Sequence, residues 1–335
     1  MLEFKHVLVT GGAGYVGCAL IPQLLEDGYI VTVYDILYYG QEGLPNHQNL
    51  TVIKGDIRNT SDLAKAFEGI DAVLHLACIS NDASFELDEN LSKTSNLDCF
   101  EPMVIAAKAA GVKRFVYAST SSVYGISDQP NVTEDHPLVP LTLYNDFKGQ
   151  CEPLLKKHLT EDFTGIIIRP ATVCGYSPRT RLDLTVNILT NHAITNGKIT
   201  VFGGTQLRPN LHIQDMCDLY KLILKAPTDK IQGDTFNAGY QNQSVSQIAE
   251  IVRKVVETEF PEKAPIEIIT TPSDDNRSYH INSDKIFVQL GFKASHTIED
   301  AVRDLCQAFR DGKLPNSMDD DTYYNVRQMK ALGAK

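Results

Sequence analysis

Apolar residues along this chain fall into short continuous runs, separated by longer stretches in which they recur every three or four positions. The runs at residues 6–10, 30–34, 50–54, 72–76, 114–118 and 164–169 predict strands buried on both faces. The stretches between them predict helices at 15–27, 61–68, 94–110 and 144–159. Such alternation builds a parallel sheet with helices on both sides, and ligands on such sheets bind beyond the carboxyl ends of the strands. After Pro170 the pattern loosens. A helix is expected at 184–196, strands at 199–202 and 266–270, a strand ending at 236–239, and helices at 245–256, 283–290 and 297–309. The expected division is one lobe at residues 1–170 with about 211–239, and a smaller mixed α/β lobe at 171–210 and 240–315. A loosely attached tail is expected at 316–335.

Notable residues sit at the predicted strand ends. Gly11-Gly12-Ala13-Gly14-Tyr15-Val16-Gly17 follows the first strand and opens the first helix. Gly11 permits a tight turn, Gly14 lets backbone approach a pyrophosphate, and Gly17 lets helix and strand pack closely. The helix N-terminus then offers unpaired N–H groups to the phosphates. Asp35 ends the second strand, where a carboxylate binds both hydroxyls of an adenosine ribose and repels a 2′-phosphate. The pair therefore predicts NAD rather than NADP.

Far downstream, Tyr144 and Lys148 are spaced i, i+4 on one helix face. An ammonium beside a phenol favours the phenolate, which suits Tyr144 to take a proton from an alcohol. Thr120, at the end of the fifth strand, adds a hydroxyl able to donate to a developing alkoxide or ketone oxygen.

Composition narrows the partners. The 335 residues carry 31 Lys and Arg against 42 Asp and Glu, a net charge of −11. That balance argues against nucleic-acid binding through bulk charge. The seven cysteines form no metal-binding spacing, and no metal is expected. No apolar run reaches the length of a membrane span, and the chain reads as cytoplasmic, with reduced thiols.

Taken together, these motifs resemble the extended short-chain dehydrogenase/reductases, within the nucleotide-sugar epimerase/dehydratase group. The resemblance runs from Val7 to about Phe309. Residues 10–17 are similar to that group's TGGAGFIG-like turn. Gly55-Asp56-Ile57 is similar to its adenine-contacting segment, and His75-Leu76-Ala77-Cys78 to the strand beneath the cofactor. Asn96 matches an Asn on the next helix. Ser119-Thr120 with Val123-Tyr124-Gly125, and Arg169-Pro170, match further segments. Arg208 with His212, and Arg277, match the late arginine positions.

The resemblance implies a Rossmann-type doubly wound fold, NAD as cofactor and a homodimer. It implies Thr120, Tyr144 and Lys148 as catalytic residues. Cofactor contacts would come from Gly11, Gly14, Tyr15, Val16, Asp35, Asp56, Ile57, Leu76, Ala77, Cys78, Asn96, Ser119, Tyr144, Lys148 and Pro170. A nucleotide-diphosphate sugar would meet Ser80, Asn81, Thr120, Thr172, Arg208 and Arg277. The first lobe would then hold NAD and the second the sugar nucleotide. His75 reads as a packed strand residue.

Three chemistries share oxidation of the sugar at C4. A 4,6-dehydratase of this group carries Asp-Glu directly after the catalytic Thr; Ser121 and Ser122 stand there, which argues against dehydration. A 4-epimerase is the leading expectation. A 4-dehydrogenase or 4-ketoreductase is the alternative, and a non-catalytic dinucleotide-binding sensor the third.

Overall fold

The computed structural model describes residues 4–80, 88–273 and 278–334. Seven parallel strands form the central sheet: β1 (His6–Thr10), β2 (Ile30–Asp35), β3 (Leu50–Lys54), β4 (Ala72–His75), β5 (Arg114–Ala118), β6 (Thr164–Pro170) and β10 (Thr235–Ala238). Their order is β10-β6-β5-β4-β1-β2-β3. The chain therefore reverses direction across the sheet at β1, and the crevice of a doubly wound sheet opens between the ends of β1 and β4.

Alternation along each strand feeds two cores. Val7 and Val9 of β1 join Ile166 and Ile168 of β6 in one apolar cluster, with helices α1 (Tyr15–Glu26) and α7 (Ile213–Lys225). Leu8 and Ile167 point the other way, toward α2 (Thr60–Ala66), α4 (Phe100–Ala109) and α5 (Leu143–Lys156). Because both faces are covered, the strands read as near-continuous apolar runs.

A third cluster lies beyond β6. Helices α6 (Thr185–Asn196), α8 (Val245–Glu259) and α10 (Ile298–Arg310) bury Val186, Leu189, Ile248, Val252, Ile298 and Val302 around Ile199 and Val201 of β8 (Lys198–Phe202). β8 pairs in parallel with β12 (Glu267–Thr271). A three-stranded ribbon unites β7 (Thr172–Cys174), β9 (Leu207–His212) and β11 (Gln241–Ser244).

Among the elements that depart from the sequence reading are α7 and the carboxyl-terminal segment. α7 was not anticipated, although Ile213, Met216, Cys217, Tyr220, Ile223 and Leu224 follow helical spacing and are all buried. The carboxyl-terminal segment is not loosely attached. Helix α11 (Asn325–Leu332) buries Met329 among Ile79, Leu91 and Phe147, and Asn325 is 5% exposed. Its few apolar contacts are long-range, which local composition does not reveal. Helix α3 (Glu89–Lys93) and α9 (Asp284–Leu290) complete the set. Among the described residues no helix is long and apolar enough to cross a membrane.

Candidate active site

A cleft of about 380 Å³ opens over the carboxyl ends of the central strands. At its floor the Gly-rich turn runs under β4. Gly11 has φ +70°, and a Cβ there would lie 2.6 Å from the backbone of Ala77. A Cβ on Gly17 would lie 2.2 Å from the carbonyl oxygen of Gly12. No side chain fits at either place, so this turn can exist only with glycine there. Gly14 is the N-cap of α1 and carries no capping side chain, so the first N–H groups of the helix face the cleft.

At one end stand Asp35 and Asp56. The Asp35 carboxylate accepts hydrogen bonds from the backbone N–H of Ala13 (3.0 Å) and Leu37 (2.7 Å). Burial nevertheless holds its pKa above the ordinary carboxylate range. Asp56 is gripped by the Arg58 guanidinium at 2.6–3.0 Å. Burial pushes its pKa up, but Arg58 outweighs this and brings it below the usual value.

At the other end stand Thr120, Tyr144 and Lys148. β5 delivers Thr120 as the N-cap of a 3-10 turn, Ser121–Tyr124. Its hydroxyl shares a 2.8 Å hydrogen bond with Ser122, which in turn donates to Asn145. Thr142 caps α5, fixing the first turn on which Tyr144 sits. Lys148 is 2% exposed, and its ammonium donates to the Ala118 carbonyl at 2.7 Å. One turn further on, Glu152 accepts from Ser119 (2.7 Å) and from the Arg169 guanidinium (2.6 and 2.9 Å), so a buried ion pair ties α5 to β5 and β6 behind the site.

The remaining wall was not foreseen. The segment after β7 swings over the N-terminus of α1: Tyr15 donates to the Gly175 carbonyl at 2.6 Å, and Ser177 donates to the Tyr15 carbonyl at 2.7 Å. Fully buried Asn187 braces it through Gly175 N–H and the Arg181 carbonyl. This bracing turns Arg179 and Arg181 into the cleft, each 8% exposed. Arg181 pairs with Asp183 and donates to Ser80 at 3.0 Å. Arg179 lies 3.8 Å over the Tyr39 ring and donates to Asn325 of α11 at 2.6 Å. Two arginines flanking one threonine, shortly after the strand predicted at 164–169, were the available signal.

Of the residues expected in the site, Gly11, Gly14, Tyr15, Val16, Asp35, Asp56, Ile57, Leu76, Ala77, Cys78, Ser80, Ser119, Thr120, Tyr144, Lys148, Pro170 and Thr172 all line this one cleft. Asn96 does not. It lies behind the wall, and its amide holds both the N–H (2.9 Å) and the carbonyl (3.2 Å) of Ile79. Arg208 is not among the residues lining the cleft; its guanidinium lies 5.6 Å from the centre of the Tyr279 ring, which does line it. Asn81 and Arg277 fall outside the described residues. His75 is packed, as expected: it is 3% exposed, bonded to Thr10 at 2.7 Å and stacked on Tyr117. Burial and the Lys148 charge hold it neutral, well below the ordinary imidazole pKa.

Residues 7–239 match the NAD dependent epimerase/dehydratase family. Among curated relatives, a UDP-glucose 4-epimerase of Lactobacillus helveticus is 29% identical over 322 residues, covering 88% of this chain and 94% of that protein. A dTDP-D-glucose 4,6-dehydratase of Mus musculus is 29% identical, covering 91% and 89%. Among solved structures, a UDP-glucose 4-epimerase from Thermotoga maritima superposes with a TM-score of 0.82 at 22% identity, over 92% of this chain and 99% of that one. A UDP-N-acetylglucosamine 4-epimerase from Methanobrevibacter ruminantium gives 0.82 at 25% identity, over 92% and 99%.

Proposed function

Since the chain belongs to the NAD-dependent epimerase/dehydratase family, we propose that it is a nucleotide-sugar 4-epimerase acting through a transient 4-keto sugar. One observation carries this reading: Thr120, Tyr144 and Lys148 open onto the same cleft as the glycine cradle and Asp35. The cradle fits NAD, because the uncapped N-terminus of α1 lines the cleft, where a pyrophosphate would find its N–H groups, and Asp35 stands where the adenosine ribose hydroxyls would lie. Bound NAD supplies the hydride acceptor and donor.

In this reading Tyr144, as phenolate, takes the proton of the sugar 4-OH while C4 loses its hydride. Lys148 favours the phenolate and anchors the cofactor ribose. Thr120 donates to the oxygen at C4. The ketone then turns, the hydride returns to its other face, and Tyr144 gives back the proton, so the cycle balances with no net redox change. Ser121 and Ser122 offer no carboxyl group after Thr120, and among the described cleft-lining residues the carboxylates are Asp35 and Asp56 at the adenosine end. That distribution supports epimerisation over elimination of water. Arg208 and Arg277 are assigned to the sugar-nucleotide diphosphate, with Ser80, Asn81 and Thr172 toward the sugar. The working unit is a cytoplasmic homodimer.

The test is incubation with a panel of UDP- and dTDP-sugars, following products by chromatography and cofactor by absorbance. A new 4-epimer with no lasting NADH signal is expected. A released ketone with stoichiometric NADH would replace epimerase with dehydrogenase, and NAD binding with no turnover on any sugar nucleotide would leave a sensor.

A further inference from the structure

The two buried arginines have a place on the cleft that the reaction above does not use. Arg179 sits toward the adenosine end, its charge felt by Asp35 and by Cys18 of α1. Arg181 sits toward the reacting end, bonded to Ser80 and within electrostatic reach of Tyr144. Between these ends lies the N-terminus of α1. A dinucleotide running from Asp35 to Tyr144 must pass its diphosphate through that gap.

The gap brings two guanidinium groups together, with Asp183 and Asp35 the carboxylates within their electrostatic reach. Asp183 is paired to Arg181 at 2.9 Å and 3.1 Å. The direct contacts of Arg179 are neutral, the Tyr39 ring and the Asn325 amide; neither carboxylate is hydrogen-bonded to it, and its Nε has no hydrogen-bond partner among the described residues. Burial and the nearby Arg181 charge pull this guanidinium down to about 10, so it is still charged at neutral pH. A buried guanidinium with an idle donor is a costly arrangement unless an anion completes it.

The carboxyl-terminal helix keeps the pair in place. Asn325 accepts from Arg179, donates its amide to Ser80 at 3.0 Å, and gives its backbone N–H to Asp183 at 3.0 Å. Gln328 donates to the Tyr38 carbonyl, and Met329 is buried beside Ile79. Helix α11 thus bridges the β2 side of the cleft to the β4 side.

We propose that Arg179 and Arg181, held by Asn325 of α11, form a second anion wall that clasps the NAD diphosphate from the side opposite the α1 N-terminus, so that NAD leaves only when α11 undocks. The clasp rests on the NAD reading of the cleft. It suits a redox-neutral cycle, because a retained cofactor is returned to its starting state at each turnover. The substrate also carries a diphosphate, but Asp35 and the α1 N-terminus beside Arg179 favour the cofactor's.

Binding alone tests this. Affinities for NAD, ADP and adenosine are measured by titration calorimetry on wild type, Arg179→Gln and Asn325→Ala, with thermal unfolding as the control for folding. NADH release is followed by its fluorescence. Arg179→Gln should weaken NAD and ADP alike, by about 10- to 100-fold, and leave adenosine unchanged. Asn325→Ala, outside the central sheet, should speed NADH release by about tenfold or more. Unchanged NAD affinity with a raised KM for the sugar nucleotide would overturn the clasp and assign the arginines to the substrate. Equal weakening of adenosine would reduce them to a structural role. A wild type that binds no dinucleotide would remove the cofactor cleft itself, whereas NAD binding without epimer formation would sink the function and leave the clasp standing.

Discussion

At the scale of single residues, the site separates proton transfer from cofactor choice. Tyr144→Phe keeps the ring and deletes the acid–base oxygen, so turnover should fall by about 10²–10⁴-fold with NAD affinity nearly unchanged. Steady-state kinetics beside a binding titration checks this, and near-full activity would refute the proton path. Asp35→Ala removes a carboxylate that now engages two backbone N–H groups and stands ready for two ribose hydroxyls. NAD should weaken by roughly 10- to 100-fold, the worth of charge-assisted hydrogen bonds. NADP should change much less, since repulsion of its 2′-phosphate goes with the carboxylate. Parallel titrations that return the original preference would sink the assignment. These residues were legible from local sequence: Asp35 ends a predictable strand, and Tyr144 stands four residues before Lys148 on a predictable helix. Arg179 and Arg181 were not, because what aims them comes largely from Tyr15 and Asn325, far away in sequence, with Asn187 six residues beyond Arg181.

At the scale of elements, α5 is the hinge between stability and chemistry. Its one face carries Tyr144, Lys148 and Glu152 in successive turns, and the last of these is locked to Arg169 with both side chains under a tenth exposed. Burial works against the Arg169 charge, but Glu152 outweighs it and holds the guanidinium above its ordinary range. Glu152→Ala would strand that charge in the core and release the Ser119 hydroxyl. The expected loss is about 3–5 kcal/mol of unfolding free energy, the usual result of breaking one side of a buried pair. Urea denaturation reads it, and a loss under about 1 kcal/mol would mean that water or another acceptor replaces the carboxylate. The long periodic elements of the first lobe were readable because both sheet faces are buried. The ribbon of β7, β9 and β11 was not, because its strands are only three to six residues long and Pro209 lies within β9. Pairing at this length is decided by tertiary context rather than local preference.

At the scale of the whole molecule, the question is what covers α4 and α5. The sequence suggested that 94–110 holds more small apolar surface than one sheet face needs. Part of that surface is used within the chain: Met103, Val104 and Ala107 are fully buried against the sheet. What remains outward on α4 is Pro102, Ile105 and Ala109, and Ile105 is 50% exposed. On α5, Leu143 at its start is 41% exposed, and Leu141 just before it is 47% exposed. Small and medium apolar residues on two adjacent helices let a second pair approach closely, and a two-fold interface would apply each residue twice. A homodimer through these helices is therefore expected, and Ile105→Asp should break it by placing two carboxylates in an apolar seam. Light scattering at micromolar concentration decides the matter. A wild-type mass near 37.1 kDa would defeat the dimer. A dimer that Ile105→Asp leaves intact would move the interface to another face.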